Sequence, residues 1–154
     1  MNSSRPILAS KIKVSQNAVG IIIAAVVFIA FGILFIYAGK ETVVIISPDN
    51  IQIKALYGLN IDTAEVKAIS LIEQSMKAIG IGRKNDGYHG GQTVIGHFIS
   101  ESRGKSLLFA KANSSPTIWI ERDGSEDIYI SFDDGEKTKA IYRELVAVVP
   151  SHND

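Results

Sequence analysis

The feature that most constrains the fold is an uninterrupted apolar run between Ala18 and Gly39, AVGIIIAAVVFIAFGILFIYAG. It holds roughly 22 residues without a charge, and a helix of that length, rising about 1.5 Å per residue, spans a hydrocarbon core about 30 Å thick. The rest of the chain is too small to wrap such a helix on every side. The run therefore predicts a single transmembrane helix over 18–39, preceded by a polar and basic segment over 1–17.

A cleavable signal peptide is an alternative that stays open. Arg5, Lys11 and Lys13 form a basic segment before the apolar run, and Ala38 could end a cleavage site. The apolar core of a signal peptide usually has about 7 to 15 residues, and Ile36 is not the small residue that cleavage favours at that position. We therefore favour a retained helix.

The distribution of basic residues predicts the orientation of this helix, because basic residues beside a span resist translocation. Those before the run have no acidic neighbour, whereas Lys40 and Lys54 after it are mixed with Glu41 and Asp49. The N-terminus is therefore expected in the cytoplasm and the domain outside it, in a single-pass protein of the cell membrane. The run contains no GxxxG pair, so a homo-oligomer held by small helix residues stays an open alternative.

Composition narrows the classes of function. Lys plus Arg and Asp plus Glu each number 16, so no global field favours nucleic acid, and we expect no nucleic-acid partner. The absence of cysteine excludes disulfides, thiolate catalysis and zinc-thiolate sites.

From residue 42 onward the pattern becomes that of a small β domain, which we place at 42–149. Short β-branched and alternating apolar segments, among them TVIGHFIS from residue 93, TIWIE from 117 and DIYISF from 127, are separated by turn residues. In the first of these segments Val94 and Phe98 are expected on one face of the strand and Ile95 and His97 on the other. Successive strands are expected to pair as an antiparallel meander.

The last element changes character. The segment EKTKAIYRELVAVV places apolar residues on one helical face, and Asp133 and Asp134 before it can accept bonds from the amides of a first helical turn. Pro150 ends it. We predict a C-terminal helix over 135–148 and a disordered tail over 150–154.

A run of short strands closed by one C-terminal amphipathic helix is the element order of a pleckstrin-homology-like (PH-like) barrel. The chain resembles the bacterial PH-like domain family of small membrane proteins over most of 44–148. The resemblance rests on Ile51, Ile53 and Lys54; Tyr57 and Gly58; Ile61; Val66, Ile69 and Leu71; Gly82 to Gly87; Gly96 and Phe98; Ile118 and Ile120; and Thr138, Ile141 and Tyr142. It implies a mainly β fold, a PH-like barrel or sandwich with one C-terminal helix, that binds or scaffolds and has no established catalytic residues.

The glycine-rich stretch 80–91 is predicted as a loop. It holds a small basic and aromatic cluster, Arg83, Lys84, Tyr88 and His89, that could contact a lipid headgroup, a peptide or a polysaccharide. A solvated loop without a ligand is the alternative. The glycines do not match a phosphate-binding loop.

No catalytic or metal-binding pattern is recognisable. His89 and His97, with Asp86 and Glu101 nearby, could be considered for a metal site, but metal sites need three or four converging ligands and the HExxH spacing is missing. There is also no GxSxG motif for a serine nucleophile. We therefore expect no enzyme activity, no metal and no cofactor.

Together these features favour a membrane-tethered, non-enzymatic PH-like module that binds or scaffolds a protein or peptide partner at the bilayer. The alternative function is recognition of a lipid headgroup or an envelope polysaccharide through the stretch 80–91.

Overall fold

The computed structural model of the protein describes residues 16–38 and 41–149, and the chain divides into two compact units between Ile36 and Tyr37. The first unit contains helix α1, Gln16–Ala38. Side chains of α1 are described over 19–30 and at Gly32, and all of those are apolar and exposed.

The first unit corrects the membrane prediction. In the part of the chain that the structure describes, no helix meets the length and apolarity that a membrane crossing demands. The continuous stretch of α1 with described side chains, 19–30, rises only about 18 Å, against the roughly 30 Å of a hydrocarbon core. This finding overturns the predicted transmembrane helix over 18–39 and the predicted single-pass location in the cell membrane. The segments 1–15 and 150–154, predicted as a basic leader and a disordered tail, lie outside the described residues.

The second unit is built from two β-sheets. Sheet A has three antiparallel strands in the order β1-β2-β3, which are β1 (Val43–Ser47), β2 (Asn50–Lys54) and β3 (Leu59–Asp62). Sheet B has six strands in the order β4-β8-β9-β7-β6-β5. They are β4 (Val66–Ile72), β5 (Arg83–Gly90), β6 (Thr93–Ser100), β7 (Gly104–Lys111), β8 (Thr117–Arg122) and β9 (Asp127–Ile130). A short helix α2, Met76–Ile79, lies between β4 and β5 in the chain.

The strand order corrects the predicted meander at one place. Strands β5, β6 and β7 follow one another as neighbours, but β8 pairs with β4 instead of β7. Strand β9 then turns back and fills the gap between β8 and β7. Because β8 runs antiparallel to β9, β9 must lie parallel to β7, with Leu107 opposite Ile128. A pattern of strands and turns gives the order of elements along the chain but not which strand fills a gap in a sheet.

One face of sheet B packs against sheet A and the C-terminal helix. The buried side chains of this face form the inner cluster. It comprises Ile51, Ile53, Ile61, Val66, Ile95, Leu107, Phe109, Ile118, Ile120, Ile128, Ile130, Phe132 and Leu145. Each fully buried isoleucine contributes on the order of 1.5–3 kcal/mol by leaving water, so this cluster is the main source of stability.

The opposite face of sheet B carries a second set of buried residues, the outer cluster, which α2 covers through Met76. Its members are Met76, Val94, Phe98, Leu108, Ala110, Ala112 and Tyr129. Val94 and Phe98 lie in the outer cluster while Ile95 lies in the inner one. The alternation predicted for the strand 93–100 is therefore confirmed.

The mainly β fold with one C-terminal helix is also confirmed, since α3 spans Gly135–Val148. Asp134 is the residue that caps it, because its carboxylate accepts a bond from the Glu136 amide at 2.8 Å. Asp133 instead lies 3.2 Å from the Lys111 ammonium. Thr138 is fully buried, and its hydroxyl accepts a bond from the Phe132 amide at 3.2 Å. The start of α3 is thus fixed by one carboxylate and one hydroxyl.

The two aspartates should differ in their effect on stability. Asp134→Ala removes the N-cap and should lower the free energy of unfolding by about 1 kcal/mol. Asp133→Ala, the matched control, removes only an exposed ion pair and should cost less than about 0.5 kcal/mol. Urea unfolding followed by circular dichroism measures both, and equal losses would contradict the assignment of the cap.

Candidate functional site

The stretch predicted as a glycine-rich loop is mostly a strand. Residues Arg83 to Gly90 form β5, which pairs along its length with β6 and lies at the edge of sheet B. Gly91, at a φ of 57°, begins the turn between the two strands, which is a backbone conformation that glycine adopts without strain. The loop prediction was wrong because pairing with a buried strand outweighs a low intrinsic β propensity.

Strand β5 divides the four predicted binding residues between two faces. Residues directly opposite each other on antiparallel strands share a face. Arg83 pairs with Ile99 and Tyr88 with Ile95, which places both on the face of the inner cluster. Lys84 pairs with Phe98 and His89 with Val94, which places both on the face of the outer cluster. The structure therefore does not bring the four side chains together at one point.

The polar side chains that do come together surround a different residue, Tyr57, in the turn between β2 and β3. Its hydroxyl donates a hydrogen bond to Asp86 Oδ1 at 2.8 Å, and its ring meets that of His97 edge to face at a centroid distance of 5.7 Å. Asp86 and His97 are direct partners across β5 and β6. Gly96, at a φ of 117°, makes room for this arrangement, because a Cβ there would lie 3.2 Å from the Tyr57 ring.

His97 is oriented by an acid from the turn between β8 and β9. Its Nδ1 lies 2.6 Å from Glu126 Oε2, and both side chains are partly exposed, at 37% and 29%. Arg122 holds the same turn, since Nε and Nη2 donate to the main-chain oxygen of Glu126 at 2.9 and 2.7 Å. Burial lowers the pKa of Arg122, and the nearby carboxylates of Glu65, Glu126 and Asp127 oppose that shift.

These residues line a cavity of about 490 Å³, which we call the Tyr57 cavity. Its lining consists of Tyr57, Gly58, Leu59, His97, Leu107, Arg122, Ser125 and Glu126. The volume falls within the range of about 300 to 1,000 Å³ that is usual for small-ligand sites. An apolar wall and a few fixed polar groups are also the usual composition of such sites.

Sequence reasoning missed most of this site. Asp86 and His97 were considered together, but as metal ligands with His89 and Glu101. His89 lies on the other face of the sheet, and among the described residues no group of three potential ligands is close enough to hold a metal ion. Glu126 is distant in sequence and reaches His97 only because β9 pairs with β7, which no local pattern announces.

The chain was compared with family models, with curated proteins and with solved structures, and nothing matches it in any of the three. The resemblance to the bacterial PH-like family therefore stays a prediction.

The hydrogen bond between Tyr57 and Asp86 makes a prediction about pH. It raises the pKa of the Tyr57 phenol, and burial and the charge of Asp86 add to the rise. Because the folded pKa lies above the ordinary value, the bond stabilises the fold below a pH of about 10 and is lost as pH rises through the raised pKa. Asp86→Ala should return the Tyr57 pKa to its ordinary value.

Carbon-13 NMR of the tyrosine rings across the alkaline range measures this shift. Tyr129 is an internal control, because its pKa is raised mainly by burial and should stay raised in the variant. Asp133→Ala is the matched control and should leave Tyr57 unchanged. A Tyr57 pKa that is the same with and without Asp86 would contradict the bond.

Proposed function

We propose that the β domain is a non-enzymatic binding module that takes up an extended segment of a partner protein by strand addition to β5. The observation that carries this proposal is the position of β5, an eight-residue strand at the end of sheet B. An edge strand presents a row of backbone donors and acceptors on its outer side, and a partner segment can pair with them.

The other sheet edges are less suited to this role. Strand β3 has four residues and β1 has five, which gives a short ladder. Strands β1 and β4 also pack against α3. Strand β5 packs mainly against β6, and the side chains from Arg83 to Asp86 are exposed.

The side chains of β5 favour an acidic partner segment. Arg83 and Lys84 are exposed at the start of the strand, and the pairing with β6 shifts between Lys84 and Asp86. Charged residues and bulges at a sheet edge prevent indiscriminate pairing. A segment with carboxylates opposite these two cations would offset that repulsion, since opposite charges facing each other across strands stabilise a pair.

The same division of side chains argues against the alternative function. Recognition of a phosphate headgroup or a sugar needs several donors that converge on one group. Arg83 and Lys84 point to opposite faces of the sheet, as do Tyr88 and His89. Backbone pairing along the strand does not need that convergence.

Selection of nine-residue peptides from a display library, followed by NMR of the full chain, tests this proposal. A selected peptide should be extended and acidic, and binding should slow the hydrogen exchange of β5 amides. Lys84→Glu together with Arg83→Glu should weaken its binding by about tenfold or more, because two attractions become repulsions.

The matched control is Lys54→Glu, a charge reversal at an exposed position on sheet A, which should change the affinity by less than about twofold. Peptides that protect amides outside β5, or a library that yields no binder, would contradict strand addition.

A further inference from the structure

The Tyr57 cavity has an acceptor-rich lining. A carboxylate accepts bonds at both oxygens and donates none. Glu126 uses Oε2 for His97, and Asp86 uses Oδ1 for Tyr57, so each carboxylate has a second oxygen that can accept. Because the Glu126 carboxylate cannot donate, His97 Nδ1 must carry the proton in their contact, which makes Nε2 an acceptor in the neutral ring.

The positive charge at the cavity is already compensated. The Arg122 guanidinium directs two of its N–H groups at the main-chain oxygen of Glu126 and lies among the carboxylates of Glu65, Glu126 and Asp127. With Asp86 next to Tyr57, the acids around the cavity outnumber the permanent bases. An anion entering here would meet net repulsion, whereas a cation would meet attraction.

The walls favour a ligand with an apolar stem. Leu59 and Leu107 line the cavity beside the Tyr57 ring, and an aromatic ring attracts a cation through its face. A primary ammonium group carries three donors and no acceptor, which complements a lining made of acceptors.

We propose that the Tyr57 cavity binds a primary alkylammonium group, held by Glu126, His97 and Asp86 while its stem packs between Tyr57, Leu59 and Leu107. The group could come from a lysine side chain of a polypeptide or from a free small amine, and the chemistry of recognition is the same for both.

NMR titration of the full chain with two charged probes tests the site, with the ring signals of His97 and Tyr57 as the readout. The probes are N-acetyl-lysine N-methylamide and n-butylamine. Their neutral counterparts are the Nε-acetylated lysine amide and n-butanol. Both charged probes should shift these signals saturably, and the neutral ones should bind about tenfold more weakly or worse. Tighter binding of the lysine amide than of butylamine would identify a polypeptide as the source, and the reverse a free amine.

Substitutions then locate the binding. Glu126→Gln should weaken butylamine binding by about tenfold, and Asp86→Asn, which keeps the shape of the side chain, by about threefold or more. Glu121→Gln is the matched control, because Glu121 is an acid on the neighbouring strand that pairs with Lys67, and it should leave the affinity unchanged.

Equal binding of butylamine and butanol would overturn the proposal, and so would full affinity in Glu126→Gln with an intact fold. The variant with Arg83→Glu and Lys84→Glu should retain amine binding. The amine site and strand addition to β5 can therefore fail independently of each other.

Discussion

Burial of the inner cluster is the constraint on which the rest of the β domain depends. Isoleucines of sheet A, among them Ile51, Ile53 and Ile61, lie against the isoleucines of sheet B with almost no exposed surface. This packing fixes how far sheet A can slide over sheet B. It thereby places the turn after β2, with Tyr57 at its tip, above the strands β5 and β6.

The position of Tyr57 in turn depends on glycine. Gly96 lies beneath the ring, and Gly87 opposite it would bring a Cβ within 2.5 Å of the Ile95 carbonyl oxygen. The glycines of the stretch 80–91, which suggest a loop when the sequence is considered alone, thus serve a close approach within a sheet. The cavity forms where this aromatic ring spans the end of the sandwich.

Local patterns predicted what local physics determines. The alternation of Val94 and Ile95 and the C-terminal helix follow from periodicity and capping, and both were found as expected. The parallel position of β9 and the contact of His97 with Glu126 depend on contacts between distant segments, which no local pattern encodes. The apolar run predicted a membrane span from composition alone, and the described residues contain no helix that meets the requirement.

The edge of β5 and the Tyr57 cavity share one residue, Asp86, but they use different directions of the sheet. A segment added to β5 would extend sheet B in its own plane, on the side away from β6. The cavity lies above the inner face, where Asp86 meets Tyr57. Strands in a sheet are about 4.8 Å apart in the plane, whereas stacked layers are about 10 Å apart. Occupancy of one site therefore does not exclude the other, and a single polypeptide with an acidic strand and a nearby lysine could engage both.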